Sequence, residues 1–227
     1  MSIAINYAEV KSRMEAACVR AGRDPKEVTL IAVSKTKPVS MLMEAYEAGA
    51  RTFGENKVQE ITEKFPQMPE DAKFHMIGHL QTNKVGQVIE KAVLIHSVDS
   101  VHLAEKIEKE AAKRNMVKEI LLEVNVAEED SKFGLKMEEV IPTLEIIKTF
   151  PHVCVKGLMT IAPFVEDAEE NRKYFKELYQ LYVDIKTKNI DNGTMSVLSM
   201  GMTGDYEVAV EEGATMIRVG TGIFGSR

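Results

Sequence analysis

The sequence predicts an α/β protein built as a single (β/α)8 TIM barrel with an extra N-terminal helix. Three observations predict it. Eight short apolar runs recur along the 227 residues, each followed or preceded by an amphipathic stretch. Most of those runs are β-branched or Leu-rich with little alternation, as strands buried on both faces should be. The glycine-rich turns fall after the seventh and eighth runs, "SMGMTGD" (199–205) and "RVGTGIFG" (218–225), where such barrels commonly build phosphate sites. An open doubly wound sheet would carry its glycine-rich turn after the first strand, and there the chain reads "SKTKP".

The elements follow in order. An amphipathic helix spans about 3–21. "VTLIAVS" (28–34) is the first strand. Pro38 then stands near the start of a helix over 39–48, where its missing N–H does no harm. "RTFGE" (51–55) precedes a helix over 56–64, and "KFHMIGHL" (73–80) one over 82–91. "VLIHSVD" (93–99) leads through Asp99-Ser100, residues suited to cap a helix, into 101–115. "EILLEVNV" (119–126) precedes 137–149, and "VKGLMTI" (155–161) precedes 166–187. "MSVLSMG" (195–201), a helix over 205–212 and "TMIRVG" (215–220) complete the pattern. "EAGA" (47–50) and "EEGA" (211–214) each place a glycine where a helix stops, marking repeated βα units rather than a tandem domain. No Pro/Gly/Ser-rich linker divides the chain, so residues 1–227 read as one domain.

Composition removes several classes of function. A hydrophobic content of 44% fits a folded protein. A net charge of −6 argues against the broad basic face of a nucleic-acid binder. No uncharged apolar run approaches the roughly 18 residues of a membrane span. The start, "MSIAINYAEVKSRMEAA", lacks the basic-then-apolar order of a signal peptide. Cys18 and Cys154 have no metal spacing and read as reduced residues of a cytoplasmic protein.

The chemistry concentrates at strand ends. Gly201, Gly204, Gly220 and Gly222 let backbone N–H groups approach an anion, and Ser199, Thr203 and Thr221 add hydroxyls. A helix beginning near Asp205 would point its N-terminus at the same place. The plainer alternative is a pair of tight βα turns. Lys35 ends the first strand, at the face where barrels carry their sites. It is a point charge for an anion, half of an ion pair, or a nucleophile whose amine must be neutral to attack a carbonyl. An aldehyde with a phosphate tail, such as pyridoxal phosphate, would use both the lysine and the glycine-rich turns. Arg218 precedes the last turn, where it reaches a pyridine nitrogen or pairs with Glu123 inside the barrel. Against such a nitrogen it would leave the ring unprotonated, because arginine does not give up its proton. "HMIGH" (75–79) mimics a zinc motif, but on a strand its two imidazoles lie about 13 Å apart, and no metal is expected. His75 then belongs in the barrel interior and His79 at the mouth. Asn56 contacts a ligand ring or caps a helix, and Asn125 is placed similarly. Lys132 reads as a solvated loop residue.

These stretches resemble the YggS-type pyridoxal phosphate homeostasis proteins. The matching pieces are "AVSKTKP", "FGENKVQE", "FHMIGHLQTNKV", "IHSVDS", "VNVAEEDSKFGL", "GLMTIAP" and "LSMGMTGDYEVAVEEGATMIRVGTGIFG", from about residue 30 onward. The resemblance implies one (β/α)8 domain like the barrel half of fold-type III alanine racemase. It implies Lys35 as the Schiff-base lysine, Arg218 as the pyridine-nitrogen partner, and Ser199, Gly201, Gly220 and Thr221 as the phosphate cradle. Thr203 stands where the family more often has serine and keeps the hydroxyl. The implied function is a pyridoxal 5′-phosphate carrier in vitamin B6 homeostasis and amino-acid or keto-acid balance, with little or no turnover. The implied partners are the cofactor and apo forms of pyridoxal phosphate-dependent enzymes, and the expected state is a monomer. Fold-type III racemases take a second base, a tyrosine, from a β-domain after the barrel, whereas this sequence ends just past its eighth strand. Of the six tyrosines only Tyr206 falls near the mouth; a slow racemase or transaminase using Lys35 and Tyr206 is the first rival. A sugar-phosphate isomerase or aldolase is the second.

Overall fold

The computed structural model describes residues 2–129, 132–190 and 194–225. Eight parallel strands close into a barrel in sequence order: β1 (Thr29–Val33), β2 (Thr52–Glu55), β3 (Lys73–Met76), β4 (Ala92–Val98), β5 (Lys118–Glu123), β6 (Val153–Met159), β7 (Val197–Ser199) and β8 (Met216–Val219). β8 pairs back onto β1, with Ile31 opposite Arg218. Outside the barrel lie α1 (Ile3–Arg20), α2 (Val39–Glu47), α3 (Val58–Lys64), α4 (Val85–Val88), α5 (Val101–Ala112), α6 (Met137–Ile147), α7 (Arg172–Thr187), α8 (Tyr206–Glu211) and α9 (Thr221–Phe224).

Local chemistry sets most boundaries. Ser100 caps α5, its Oγ accepting from Leu103 N at 3.3 Å. At the end of α2, Gly49 N donates to Tyr46 O and Ala50 N to Ala45 O; Gly213 and Ala214 repeat this at the end of α8. Both are Schellman closures, which the "E-x-G-A" echo anticipates. The helix expected over 82–91 is instead a 3₁₀ turn (Thr82–Lys84) followed by the single turn of α4. Thr82, Asn83 and Gly86 are poor interior helix residues, and three of them within five positions break the run.

The extra N-terminal helix packs into the outer ring. Among the described residues β8 is followed by the one-turn α9, and α1 lies beside it. Its buried face, Ile3, Tyr7, Val10, Met14, Ala17 and Cys18, follows helical spacing and meets α2, α8 and α9. Asn6 Nδ2 donates to Ile223 O at 3.0 Å across that junction.

Two cores result. The large one lies between strands and helices and includes the fully buried Phe53, Phe74 and Phe175. The small one fills the barrel: Leu94, Leu121, Met159 and Val197, with Met216 against them. Gly157 allows β6 to approach β7 here, since a β-carbon at that position would lie 1.7 Å from Val197 O. Side chains two residues further along a strand point the same way, one layer nearer the mouth. That layer is polar: His96 above Leu94, Glu123 above Leu121, Ser199 above Val197 and Arg218 above Met216, all buried.

Candidate functional site

The C-terminal mouth of the barrel holds a cavity of about 600 Å³. Its wall includes Lys35, Asn56, Thr203, Arg218, Gly220 and Thr221, all candidates from the sequence. Ser199 and Gly201 do not reach it.

Lys35 follows directly from where β1 stops. Ser34 still pairs with the neighbouring strand, its N–H donating to Gly54 O at 3.0 Å. The chain then turns, with Lys37 N donating to Ser34 O at 3.1 Å. Lys35 sits in that turn, exposed, and its amine makes no hydrogen bond or ion pair with the described residues. Asn56 comes just after β2. The N-cap position of α3 is Lys57, so Asn56 does not cap the helix, and its side chain faces the cavity.

Beside the β1 end that carries Lys35, the two glycine-rich turns after β7 and β8 meet through one hydroxyl. Thr203 Oγ1 accepts from Gly220 N at 3.3 Å and Gly222 N at 3.4 Å. Thr221 opens α9 and is exposed on the same wall. The α8 terminus, expected to serve an anion, has no side-chain cap, and the carboxylate of its N-cap residue Asp205 turns back to the preceding loop and to Asn171. Asp205 Oδ1 accepts from Met202 N at 2.7 Å, and Oδ2 accepts from Asn171 Nδ2 at 2.8 Å. Gly201 is buried behind the turn with φ of +90°, and a β-carbon there would stand 2.5 Å from Ala209 Cβ. Its glycine is required by backbone conformation and by packing on α8, not by an approaching ligand.

Ser199 is placed differently from the sequence expectation. It is the last residue of β7, inside the barrel one layer below the mouth. Arg218 Nη1 donates to Ser199 Oγ at 2.6 Å, while Nη2 donates to Thr160 O at 2.7 Å. Ser199 Oγ also lies 3.0 Å from His96 Nδ1, and His96 Nε2 lies 2.8 Å from His75 Nδ1. Burial, reinforced by Arg218 and by His75, keeps His96 well below the usual histidine range. Burial, helped by Lys118 and Lys73, brings His75 down to about 3. Both rings are therefore neutral near pH 7, with one N–H each. One proton arrangement serves the chain: Arg218 donates to Ser199, Ser199 to His96, and His96 to His75. Burial also lowers Arg218 to about 10, opposed by Glu123 and Asp205, so it keeps its charge at neutral pH. The alternative of an Arg218–Glu123 ion pair is not what the structure contains; the guanidinium bonds to Ser199 and Thr160 instead. Glu123 is pushed up to about 7 by burial, with Asp99 adding to the rise and Arg218 opposing it.

The remaining expectations divide. His75 is interior, and His79 is at the mouth, 3.4 Å from Asp99 and stacked on Phe133. Among the described residues no three His, Cys, Asp or Glu side chains gather as metal ligands. Asn125 is not on the cavity wall; its amide donates to Glu129 O and accepts from Glu129 N. Lys132 is not free in solvent. It borders the cavity, bonded to Glu129 Oε1 at 2.8 Å and Ala162 O at 3.3 Å. Tyr206 is buried, its hydroxyl has no hydrogen-bond partner among the described residues, and it lines a smaller neighbouring pocket rather than this cavity. The apolar wall from Ile161 to Val165, including the 97% exposed Phe164, was not anticipated. No periodic signal marks a loop wall.

The cavity thus brings an available amine, a hydroxyl-and-amide cluster and a buried cation to one wall. Such a wall suits a flat, phosphorylated carbonyl compound of modest size.

The model of the alanine racemase N-terminal domain matches residues 5–227. The pyridoxal phosphate homeostasis protein of Aquifex aeolicus is 42% identical over 228 residues, covering 100% of this chain and 99% of that one. The solved structure of PipY from Synechococcus elongatus PCC7942 with PLP bound superposes with a TM-score of 0.85 at 34% identity, covering 99% and 100% of the two chains. Alanine racemase of Clostridium difficile 630 is 12% identical with a TM-score of 0.74, covering 98% of this chain and 57% of that one, a likeness of fold.

Proposed function

The chain belongs to the pyridoxal phosphate homeostasis proteins of the alanine racemase N-terminal domain family, and from that premise we propose that it binds pyridoxal 5′-phosphate and acts in vitamin B6 homeostasis and amino-acid or keto-acid balance. The observation that carries this reading is the single cavity shared by Lys35, Arg218 and the Thr203–Gly220–Thr221 cluster. When bound, that cofactor supplies an aldehyde that a lysine amine takes up with loss of water, an anionic phosphate and a pyridine ring. Lys35 is the residue for the aldehyde. The hydroxyls of Thr203 and Thr221 and the N–H of Gly220 hold the phosphate. Arg218, fixed by Ser199 and Thr160, donates to the ring nitrogen, and Asn56 borders the ring. Ser199 serves that arginine rather than the phosphate.

Two features support binding with little turnover over racemisation or transamination. A charged arginine at the ring nitrogen keeps a proton off it and leaves the ring a weak electron sink. Tyr206, the candidate second base, has its hydroxyl buried outside the cavity. A cytoplasmic monomer that passes its cofactor to apo enzymes completes the proposal. Among the described residues no helix is long and apolar enough to cross a membrane.

Borohydride reduction of the cofactor-loaded protein followed by peptide mapping tests the reading. A pyridoxyl group on Lys35 is expected, together with loss of the visible absorption. An adduct confined to another lysine, or a protein that stays colourless with pyridoxal phosphate, overturns it. Chiral chromatography after incubation with single amino acids tests turnover; racemisation at a typical enzymatic rate of about 10 per second would replace the carrier with an enzyme.

A further inference from the structure

We infer that Glu55, Lys64 and Glu60 form a buried charge network whose role is to position Lys35. The inference rests on the reading of Lys35 as the cofactor's covalent partner and goes beyond it to three residues that do not line the cavity.

The network holds the turn on both sides of Lys35. Before it, Ser34 Oγ donates to Glu55 Oε1 at 2.6 Å, and Ser34 O accepts from Lys64 Nζ at 2.9 Å. After it, Thr36 N donates to Glu60 Oε2 at 2.6 Å. Lys64 joins the two halves, donating to Glu55 Oε1 at 2.8 Å and Glu60 Oε2 at 2.7 Å. The three donors of the ammonium group are thereby all engaged. Lys64 sits at the end of α3 and Glu55 at the end of β2, and both are buried. Glu60 lies one helical turn before Lys64 and is partly exposed.

Stability alone does not explain this arrangement. A buried ion pair is seldom more stabilising than apolar side chains of the same size, because desolvation offsets the attraction. Its attested use is to fix one geometry. Here the geometry needs fixing: Thr36 has φ of +64°, a left-handed conformation that a residue with a β-carbon resists. The bond from Thr36 N to Glu60 holds that conformation, and with it the direction in which the next residue back, Lys35, leaves the turn. Apolar packing supplies no acceptor for Thr36 N and no second donor for Ser34 O beside Lys37 N.

The test compares two ligands. Pyridoxal 5′-phosphate can bond covalently to Lys35; pyridoxine 5′-phosphate has an alcohol in place of the aldehyde and can only dock. Glu60→Ala releases Thr36 and unbalances Lys64 from a partly exposed position. Its rate of forming the borohydride-reducible, visibly absorbing adduct on Lys35 should fall roughly 10- to 100-fold, the scale set by misplacing a reacting group. Its affinity for pyridoxine 5′-phosphate should not change, and Glu60→Gln, which keeps an acceptor for Thr36 N, should recover much of the rate. Lys64→Met, similar in length and uncharged, should show the same split if it folds; Glu60→Ala decides the matter if it does not. A parallel loss for both ligands, or an undiminished rate in folded Glu60→Ala, overturns the inference. Wild-type protein with no adduct on Lys35 would instead reject the functional reading beneath it.

Discussion

Removing the Thr203 hydroxyl should separate the phosphate end of the site from the ring end. Thr203→Val keeps the shape and deletes the group that now bridges Gly220 N and Gly222 N. A hydroxyl bond to a charged group contributes ~1.5–3 kcal/mol, so pyridoxal phosphate affinity should drop by roughly 10- to 150-fold. Pyridoxal, which has no phosphate, should bind the variant as it binds wild type. Ser199→Ala makes the contrast. It removes the acceptor from a buried guanidinium and leaves the cavity wall intact, so its effect passes through Arg218. It should weaken pyridoxal and pyridoxal phosphate by the same factor. Equilibrium dialysis of both ligands against both variants reads all four values. If Thr203→Val weakens the two ligands equally, the hydroxyl does not meet the phosphate. If Ser199→Ala weakens only pyridoxal phosphate, the serine belongs to the cradle and the placement argued above fails.

Two further outcomes concern the barrel interior. Glu123 rises from 4.5 to about 7 on folding, so its stabilising contribution is complete below pH 4.5 and is lost as pH climbs through 7. That shift corresponds to on the order of 3 kcal/mol. Glu123→Gln, neutral throughout, should therefore match wild type near pH 4 and exceed it by up to that amount at pH 8 in urea titrations; a difference independent of pH refutes the assignment. Gly157→Ala drives a methyl group against Val197 O, where the added atom would lie at 1.7 Å. A loss of about 3 kcal/mol or more is expected, lowering Tm by roughly 6–12 °C, and a Tm within a degree or two of wild type contradicts it.

The strands were legible because burial on both faces leaves largely apolar runs, even where His75, His96, Glu123, Ser199 and Arg218 interrupt them. The same signal fails for α4, where nothing apolar distinguishes one turn of helix from a longer one. That Lys35, Arg218 and Thr221 border one cavity could be read from their places near strand ends, while the roles given to them came from the family resemblance. Ser199 was read one layer too high. Its neighbour in that layer, Arg218, is long enough to reach the cavity, whereas a serine at the same depth is not. Sequence tells which residues end a strand but not how far below the rim the strand stops. The chain from Arg218 through Ser199 and His96 to His75 joins four strands, and no local pattern announces it. Lys64 carries the same lesson: on a helical wheel it is one more charged residue, and only the fold brings it beneath Ser34.

Because α1 packs on α8 and α9, the wall behind the last glycine-rich turn joins distant parts of the sequence. Asn6 and Ile223, joined there, are 217 positions apart. A ribosome adding about 5–20 residues per second needs roughly 10–40 s to produce the second after the first. Throughout that interval the apolar stripe of α1 has neither α8 nor α9 to cover it. The apolar face of α1 is therefore made well before its partners, and the wall it shares with α9 forms only after Ile223 has been added.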